Sequence, residues 1–157
     1  MKKFRSPLEK VKAISSQQRR LAQLELIRCL AEESQAEQDV QAAEAQLAAS
    51  YEAADKLLRT PQTGALLQTL RCRLAADDES LVLAQEVLQA ARDRVTSARD
   101  VARERQNRED AVSKLIEQQY TEFRRDVQRR QQAGMDESSA ARWSPEQGLA
   151  EEVINHG

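Results

Sequence analysis

Aromatic residues are scarce in this chain of 157 residues, since phenylalanine, tyrosine and tryptophan together make up 3% of it. Only four glycines and three prolines are present, and no run of valine, isoleucine or threonine alternates with polar residues as a strand requires. Alanine, leucine, glutamine, glutamate and arginine, which favour helices, dominate instead. The composition is not that of a compact globular core and predicts an all-α, elongated protein.

The sequence also lacks signals for a membrane or for secretion. No apolar run approaches the ~18 residues that span a bilayer. Lys2 and Lys3 are followed by the polar segment 4–7 rather than by the apolar stretch of a signal peptide. The two cysteines, Cys29 and Cys72, are compatible with a reducing compartment. We therefore expect a cytoplasmic protein.

Residue patterns that carry catalysis or bind a metal are missing as well. The single histidine, His156, is the second-last residue, and there is no glycine-rich phosphate loop, metal-ligand spacing or nucleophile–base pair. The acidic clusters 32–33 and 77–79 are typical of solvated helix faces. We predict that the chain is not an enzyme and holds no cofactor and no metal.

What is present is a long helical repeat. Residues 66–133 contain no proline or glycine, and a helix of that length would measure roughly 100 Å. We call this predicted second helix, residues 66–133, α2. Two series of residues, each spaced by seven, form a stripe along it that we call the α2 seam, and this spacing is typical of a helix that lies along another helix. The first series is Leu67, Leu74, Leu81, Leu88, Val95, Ala102, Glu109, Ile116 and Phe123, and the second is Leu70, Asp77, Ala84, Ala91, Ala98, Arg105, Val112 and Gln119.

A first helix is predicted upstream of this repeat. Ser6 is a suitable N-cap, with Pro7 at the first helical position and Glu9 completing a capping box. A weaker heptad stripe follows, formed by Leu8, Val11, Ala22, Leu26, Cys29, Ala36, Val40, Ala43, Leu47, Ala54 and Leu57 and interrupted at Lys12, Ser15, Arg19, Glu33 and Ser50. An alanine-rich stripe buries little apolar area, so we expect a coiled coil of modest stability.

Thr60–Gly64 is the only strong break between these stretches, because Pro61 ends one helix and Gly64 permits a turn. So short a loop favours an antiparallel hairpin in which residue i lies opposite about residue 125 − i. We predict two long helices forming an antiparallel coiled-coil hairpin over residues 1–133, with helices 8–60 and 66–133 and a loop at 61–65.

The two ends of the predicted second helix raise separate questions. It extends beyond the first helix, so Ile116, Tyr120, Phe123 and Val127 either stay uncovered, as a surface for a protein partner, or are covered by the N-terminal leader with Phe4 and Leu8. At the other end, Gly134 is a natural residue to end a helix. We predict that residues 134–157 form a disordered, flexible acidic tail with an exposed Trp143.

Charge is distributed unevenly along the chain, although its net value is only −2. Residues 1–30 hold eight basic and two acidic side chains, whereas residues 31–58 hold one basic and seven acidic side chains. In the hairpin, the basic first segment pairs with the arginine-rich segment 103–130, so the open end is basic. Acidic residues are interleaved there, which disfavours nucleic-acid binding; that alternative predicts a steep salt dependence of DNA affinity.

Two stretches at the ends of the chain stand out. The chain opens with Phe4-Arg5-Ser6-Pro7-Leu8-Glu9-Lys10-Val11, ahead of a helix rich in Gln, Glu and Ala. Near the other end are Arg108-Glu109-Asp110-Ala111-Val112-Ser113-Lys114-Leu115, then Tyr120 and the closing Met135-Asp136-Glu137. These stretches resemble the start and the C-terminal pattern of the FliJ family, the small coiled-coil component of the flagellar type III export apparatus. The size and the single mid-chain break agree.

The resemblance implies a non-enzymatic central stalk and escort protein, peripherally associated with the inner-membrane export apparatus. Its partners would be the export ATPase hexamer, the cytosolic domain of the export gate and export chaperones. By position, the basic open end would face the ATPase ring with Arg19, Arg20, Arg103, Arg108 and Arg125. The loop-proximal half would face the export gate with Leu47, Tyr51, Leu58 and Leu70.

Two readings compete with the stalk hypothesis. One is nucleic-acid binding through the basic end. The other is a generic cytosolic coiled-coil scaffold or adaptor that forms an open parallel homodimer and has no role in export. The break at Pro61–Gly64 argues against a parallel dimer, and the hairpin predicts a chain that is monomeric alone.

Overall fold

The computed structural model describes residues 4–143, which form two helices joined by a short connection. Helix α1 spans Glu9–Leu58 and helix α2 spans Gly64–Arg142. Contacts between distant parts of the chain, such as Ser50 with Asp77 and Ser16 with Glu109, show that the helices run antiparallel. The predicted all-α hairpin is confirmed, and the described residues contain no strand.

The connection between the helices is hydrogen-bonded at both of its ends. The Leu57 carbonyl accepts hydrogen bonds from the backbone amide and the hydroxyl of Thr60, at 3.3 and 3.1 Å, and from the Gln62 side-chain amide at 2.7 Å. The Thr63 hydroxyl accepts from the Leu66 amide at 3.4 Å and caps α2. Gly64 is the first residue of α2 and does not have a positive φ, so the predicted role of Gly64 as the permissive residue of the turn is wrong.

The C-terminal end of α2 lies beyond the predicted position. A helix end at Gly134 was expected, but α2 continues through this glycine to Arg142. Gly134 does not have a positive φ, and residues 135–142 include Met, Glu, Ala and Arg, which favour helices. The helical part of the expected acidic tail therefore belongs to α2. Residues 144–157, the rest of that predicted disordered tail, lie outside the described residues.

The described chain divides into two compact units, and the larger one comprises residues 13–109. In it, every α2 seam residue from Leu70 to Glu109 is at least half-buried, as the heptads predict. Its best-buried cluster consists of Cys29, Val95 and Ala98, with Leu26 packed against it. The other buried apolar residues are mostly alanines, so each layer removes little apolar area from water.

Polar residues in the seams of this unit pair with one another across the two helices. Ser50 is buried and donates a hydrogen bond to Asp77. Ser16 donates to Glu109 at 2.6 Å, and Glu109 also forms an ion pair with Arg19. The pairing rule of the sequence analysis places Ser16 opposite residue 109, which confirms the predicted register.

The smaller unit consists of residues 1–12 with 110–157, of which 4–12 and 110–143 are described. Phe4 packs against Tyr120 and Phe123, with ring centroids 5.4 Å apart in both pairs. Ser6 is buried, accepts a hydrogen bond from the Leu8 amide at 3.1 Å and donates one to Gln119 at 2.7 Å. The leader therefore packs against part of the aromatic stripe, at Tyr120 and Phe123, while Tyr120 stays 47% exposed, so each of the two alternatives holds in part.

Candidate interaction surfaces

The arginines expected at an ATPase ring do not share one environment. Arg20, Arg103 and Arg108 are exposed in the unit formed by residues 13–109. Arg108 forms an ion pair with Glu104 at 2.8 Å, one turn earlier on the exposed surface of α2. Because that pair is solvated, it contributes little to stability and leaves the guanidinium available to a partner.

Arg19 differs from the expectation, because it lies in the interior of the hairpin. Its side chain is 28% exposed and forms an ion pair with Glu109, whose side chain is 14% exposed. The next residue, Arg20, points to solvent and forms no ion pair with any described residue. Since a partner would have to break the Arg19–Glu109 pair, Arg20 is the better candidate for an external contact.

Arg125 belongs to the other unit and is exposed on α2. It lines a shallow surface hollow with Lys114, Glu117, Gln118, Thr121 and Glu122. Basic and acidic side chains alternate around this hollow, so it does not form a continuous strip that would follow a phosphate backbone.

The residues expected at the export gate fall into two kinds. Leu47 and Leu70 are half-buried, and Leu70 lines a cavity of about 220 Å³ between the helices with Ser50, Ala53 and Leu57. Tyr51 and Leu58 are exposed, at 57% and 61%. They are seven residues apart on α1 and therefore lie on the same side of that helix.

The polar seam residues have a role that the heptad pattern does not show. Arg19 and Ser50 interrupt the predicted stripe of α1, but the structure pairs them with Glu109 and Asp77. The pairing rule contains this signal, because it places residue 106 opposite Arg19 and residue 75 opposite Ser50, within three residues of the observed partners. The same layers position the exposed arginines by fixing the register of the helices that carry them.

Two acidic residues, the exposed Glu25 and the half-buried Glu32, lie beside Arg28 on α1. The charge of Glu25 contributes most, and Glu32 accepts a hydrogen bond from the guanidinium; together they raise the pKa of Arg28 above its ordinary value. The charged form of Arg28 is therefore favoured. Among the described residues no helix is long and apolar enough to cross a membrane, and no group of three potential metal ligands is found.

A model of the flagellar FliJ protein family matches residues 4–148. This match spans the leader, both helices and their connection, and it agrees with the two-helix antiparallel architecture. The chain belongs to the FliJ family. The family is a non-enzymatic component of the flagellar export apparatus, and the match assigns the chain to that apparatus. No curated protein and no solved structure matches this FliJ-family chain.

Proposed function

We propose that this chain is the stalk and escort protein of the export apparatus and acts by binding rather than by catalysis. In this proposal, exposed arginines contact the export ATPase ring and promote its assembly. The observation that supports this proposal most is the family match over residues 4–148. The hairpin that these residues form keeps four arginines exposed: Arg20, Arg103, Arg108 and Arg125. A solvent-exposed guanidinium attracts the carboxylates of a partner over about a Debye length, which favours encounter with an acidic surface.

The same proposal places the export gate at the loop-proximal half. Tyr51 and Leu58 are exposed large side chains on one side of α1, and an apolar anchor of this kind contributes most to an interface when a partner covers it. Leu47 and Leu70 are half-buried in the seam, and in this proposal they support that surface from within. Binding to export chaperones and peripheral association with the inner membrane belong to the proposal as well.

The test is ATP turnover and ring assembly by the cognate export ATPase, with and without the full chain. We expect the wild-type chain to promote both, and the variant Arg103→Glu/Arg108→Glu/Arg125→Glu to lose most of the stimulation. These side chains are exposed, so circular dichroism should show an unchanged helix content.

A matched control separates a local contact from the change in net charge. Arg59→Glu/Arg71→Glu/Arg73→Glu reverses the same number of exposed arginines near the connection and at the loop-proximal start of α2. Stimulation should survive in this variant. Equal loss in both variants would refute a local ring contact, and an ATPase that ignores the wild-type chain would refute the stalk function.

A further inference from the structure

The N-terminal part of α1 carries a second apolar stripe, opposite its seam. Within the unit formed by residues 13–109, Ile14, Leu21, Leu24 and Ile27 are 56%, 59%, 63% and 62% exposed. We call the helix face that they share the outer face of α1; its other members are Ala13, Gln17, Arg20, Arg28 and Ala31. From residue 34 to residue 49, the corresponding positions hold only serine, glutamine and alanine.

The spacing on this face favours a helix as the occupant. Ile14 and Leu21 are seven residues apart, and Leu24 follows three residues later, which is the spacing of a coiled-coil seam. The four large side chains extend over about 20 Å of α1 in a stripe one helix wide. A membrane-binding face is usually broader and carries aromatic anchors, and Gln17 and Arg20 interrupt this one.

The charges on the outer face favour an acidic partner. Arg20 and Arg28 lie on it and no carboxylate does, although Glu25 and Glu32 reach Arg28 from its flank. Arg20 forms no ion pair with a described residue, so its charge is free to attract a partner's carboxylate. Two copies that packed through this face would bring Arg20 and Arg28 of both copies together, and like charges disfavour such a contact.

We propose that the outer face of α1 docks an amphipathic helix of another protein, one whose apolar stripe is flanked by carboxylates. The partner helix places its apolar side chains between Ile14, Leu21, Leu24 and Ile27, and its carboxylates reach Arg20 and Arg28. This inference does not depend on ATPase stimulation, because its surface is defined by the exposed aliphatic stripe and its test measures binding alone.

The test uses a synthetic three-heptad helical peptide with leucine at its seam positions and glutamate on both flanks. Fluorescence anisotropy measures its affinity for the full chain and for Leu21→Gln/Leu24→Gln. Leucine and glutamine have similar helix propensities and both positions are exposed, so the variant should keep its fold. We expect the variant to bind at least about tenfold more weakly, a change equal to ~1.4 kcal/mol.

Two controls define the surface and its charge preference. Leu83→Gln/Val87→Gln changes two residues of α2 that are also more than half exposed, and it should bind the peptide as the wild type does. A peptide with lysine in place of glutamate should bind the wild type about tenfold more weakly, because Arg20 and Arg28 repel it. Absence of binding, or equal binding by Leu21→Gln/Leu24→Gln, would overturn the proposal.

Other occupants give different results. If sedimentation showed a dimer that Leu21→Gln/Leu24→Gln dissociates, the face would be an interface between two copies. If the wild type floated with anionic phosphatidylglycerol vesicles and this variant did not, the face would bind lipid. Either result would also overturn the proposal, whereas a chain that is monomeric, does not bind vesicles and binds the acidic peptide would support it.

Discussion

Polar residues at seam positions fix how the two helices of this chain align. An alanine-rich seam permits several registers at similar energy, because one small residue packs much like another. Glu109 and Asp77 change this, since each must meet a polar partner on α1 or be buried without one. The partners of Glu109 are Arg19 and Ser16, and the partner of Asp77 is Ser50. These pairs form together in one register only. The polar layers thus select the alignment of the hairpin.

The Arg19–Glu109 pair gives a test at this scale. Arg19→Leu removes the cation and leaves a mostly buried carboxylate, which should lower the free energy of unfolding by about 2–4 kcal/mol. Arg19→Leu/Glu109→Leu removes both charges and adds apolar volume to the seam, so it should recover most of that loss. Urea denaturation followed by circular dichroism measures both values.

The exposed Arg108–Glu104 pair within α2 is the control. Arg108→Leu breaks the solvated Arg108–Glu104 pair and should change the free energy of unfolding by no more than about 0.5 kcal/mol. If Arg19→Leu were as mild as Arg108→Leu, the seam pair would be solvated in the folded protein. The polar layers would then not fix the register of the two helices.

Among the features of the helices, Gly134 allows a test of whether α2 ends at this glycine or continues through it. If Gly134 ended the helix in a left-handed conformation, an added Cβ would be unfavourable. In the structure it lies within α2 without a positive φ, and a Cβ built on it would meet nothing within 4 Å. Gly134→Ala should therefore stabilise the last turns by about 0.5–1 kcal/mol.

Hydrogen exchange monitored by NMR measures this effect. The amides of residues 135–142 should exchange about two- to fivefold more slowly in Gly134→Ala than in the wild type. Val82→Ala, at an exposed position far away in the sequence, should leave them unchanged. Faster exchange of these amides in Gly134→Ala would indicate that α2 ends at Gly134, as the sequence predicts.

The leader is the second element with a testable role. Phe4 packs against Tyr120 and Phe123, and Ser6 both caps α1 and donates a hydrogen bond to Gln119. Phe4→Ala should weaken these contacts by about 1–2 kcal/mol, since an aromatic pair adds to the area that it buries. The amides of residues 9–13 should then exchange roughly tenfold faster.

A control for the leader comes from another partly exposed apolar residue of α2. Leu115 is about half exposed, so Leu115→Ala should leave exchange at residues 9–13 unchanged. Unchanged exchange in Phe4→Ala would show that the leader does not hold the first turns of α1 in solution.

A feature of the fold or of the candidate surfaces could be predicted when residues close together in the sequence determine it. The heptads of α2 predicted which side chains are at least half-buried from Leu70 to Phe123, because a helix of fixed period brings them to one side whatever its partner is. The predicted end of α2 at Gly134 is wrong. A glycine within a helix lowers its stability only slightly, and neighbouring residues that favour helices offset this loss. The pairing of Arg19 with Glu109 and the docking of Phe4 depend on contacts over about a hundred residues of sequence, which heptad periodicity alone does not specify. The pairing rule located the partner of Arg19 only to within three residues, and the docking of Phe4 was one of two alternatives.

At the scale of the whole molecule, the hairpin determines what the chain can pair with. In residues 13–109 the α2 seam is covered by α1 of the same chain, so it offers nothing to a parallel partner. Light scattering should accordingly give the mass of one chain, 17.7 kDa. A stable dimer would contradict this prediction and favour the scaffold alternative.

A fragment comprising only residues 64–142 tests whether the cover that α1 gives to the α2 seam keeps the chain monomeric. Without α1, its stripe of leucine, valine and alanine is uncovered, and a helix with an uncovered seam either pairs with another copy or loses structure. The fragment should therefore scatter as more than one chain, and its helix content should fall on dilution. The full chain should show neither behaviour, because its two helices are held together at any concentration. If the fragment stayed monomeric and helical, intrachain cover of the seam would not be what keeps the full chain monomeric.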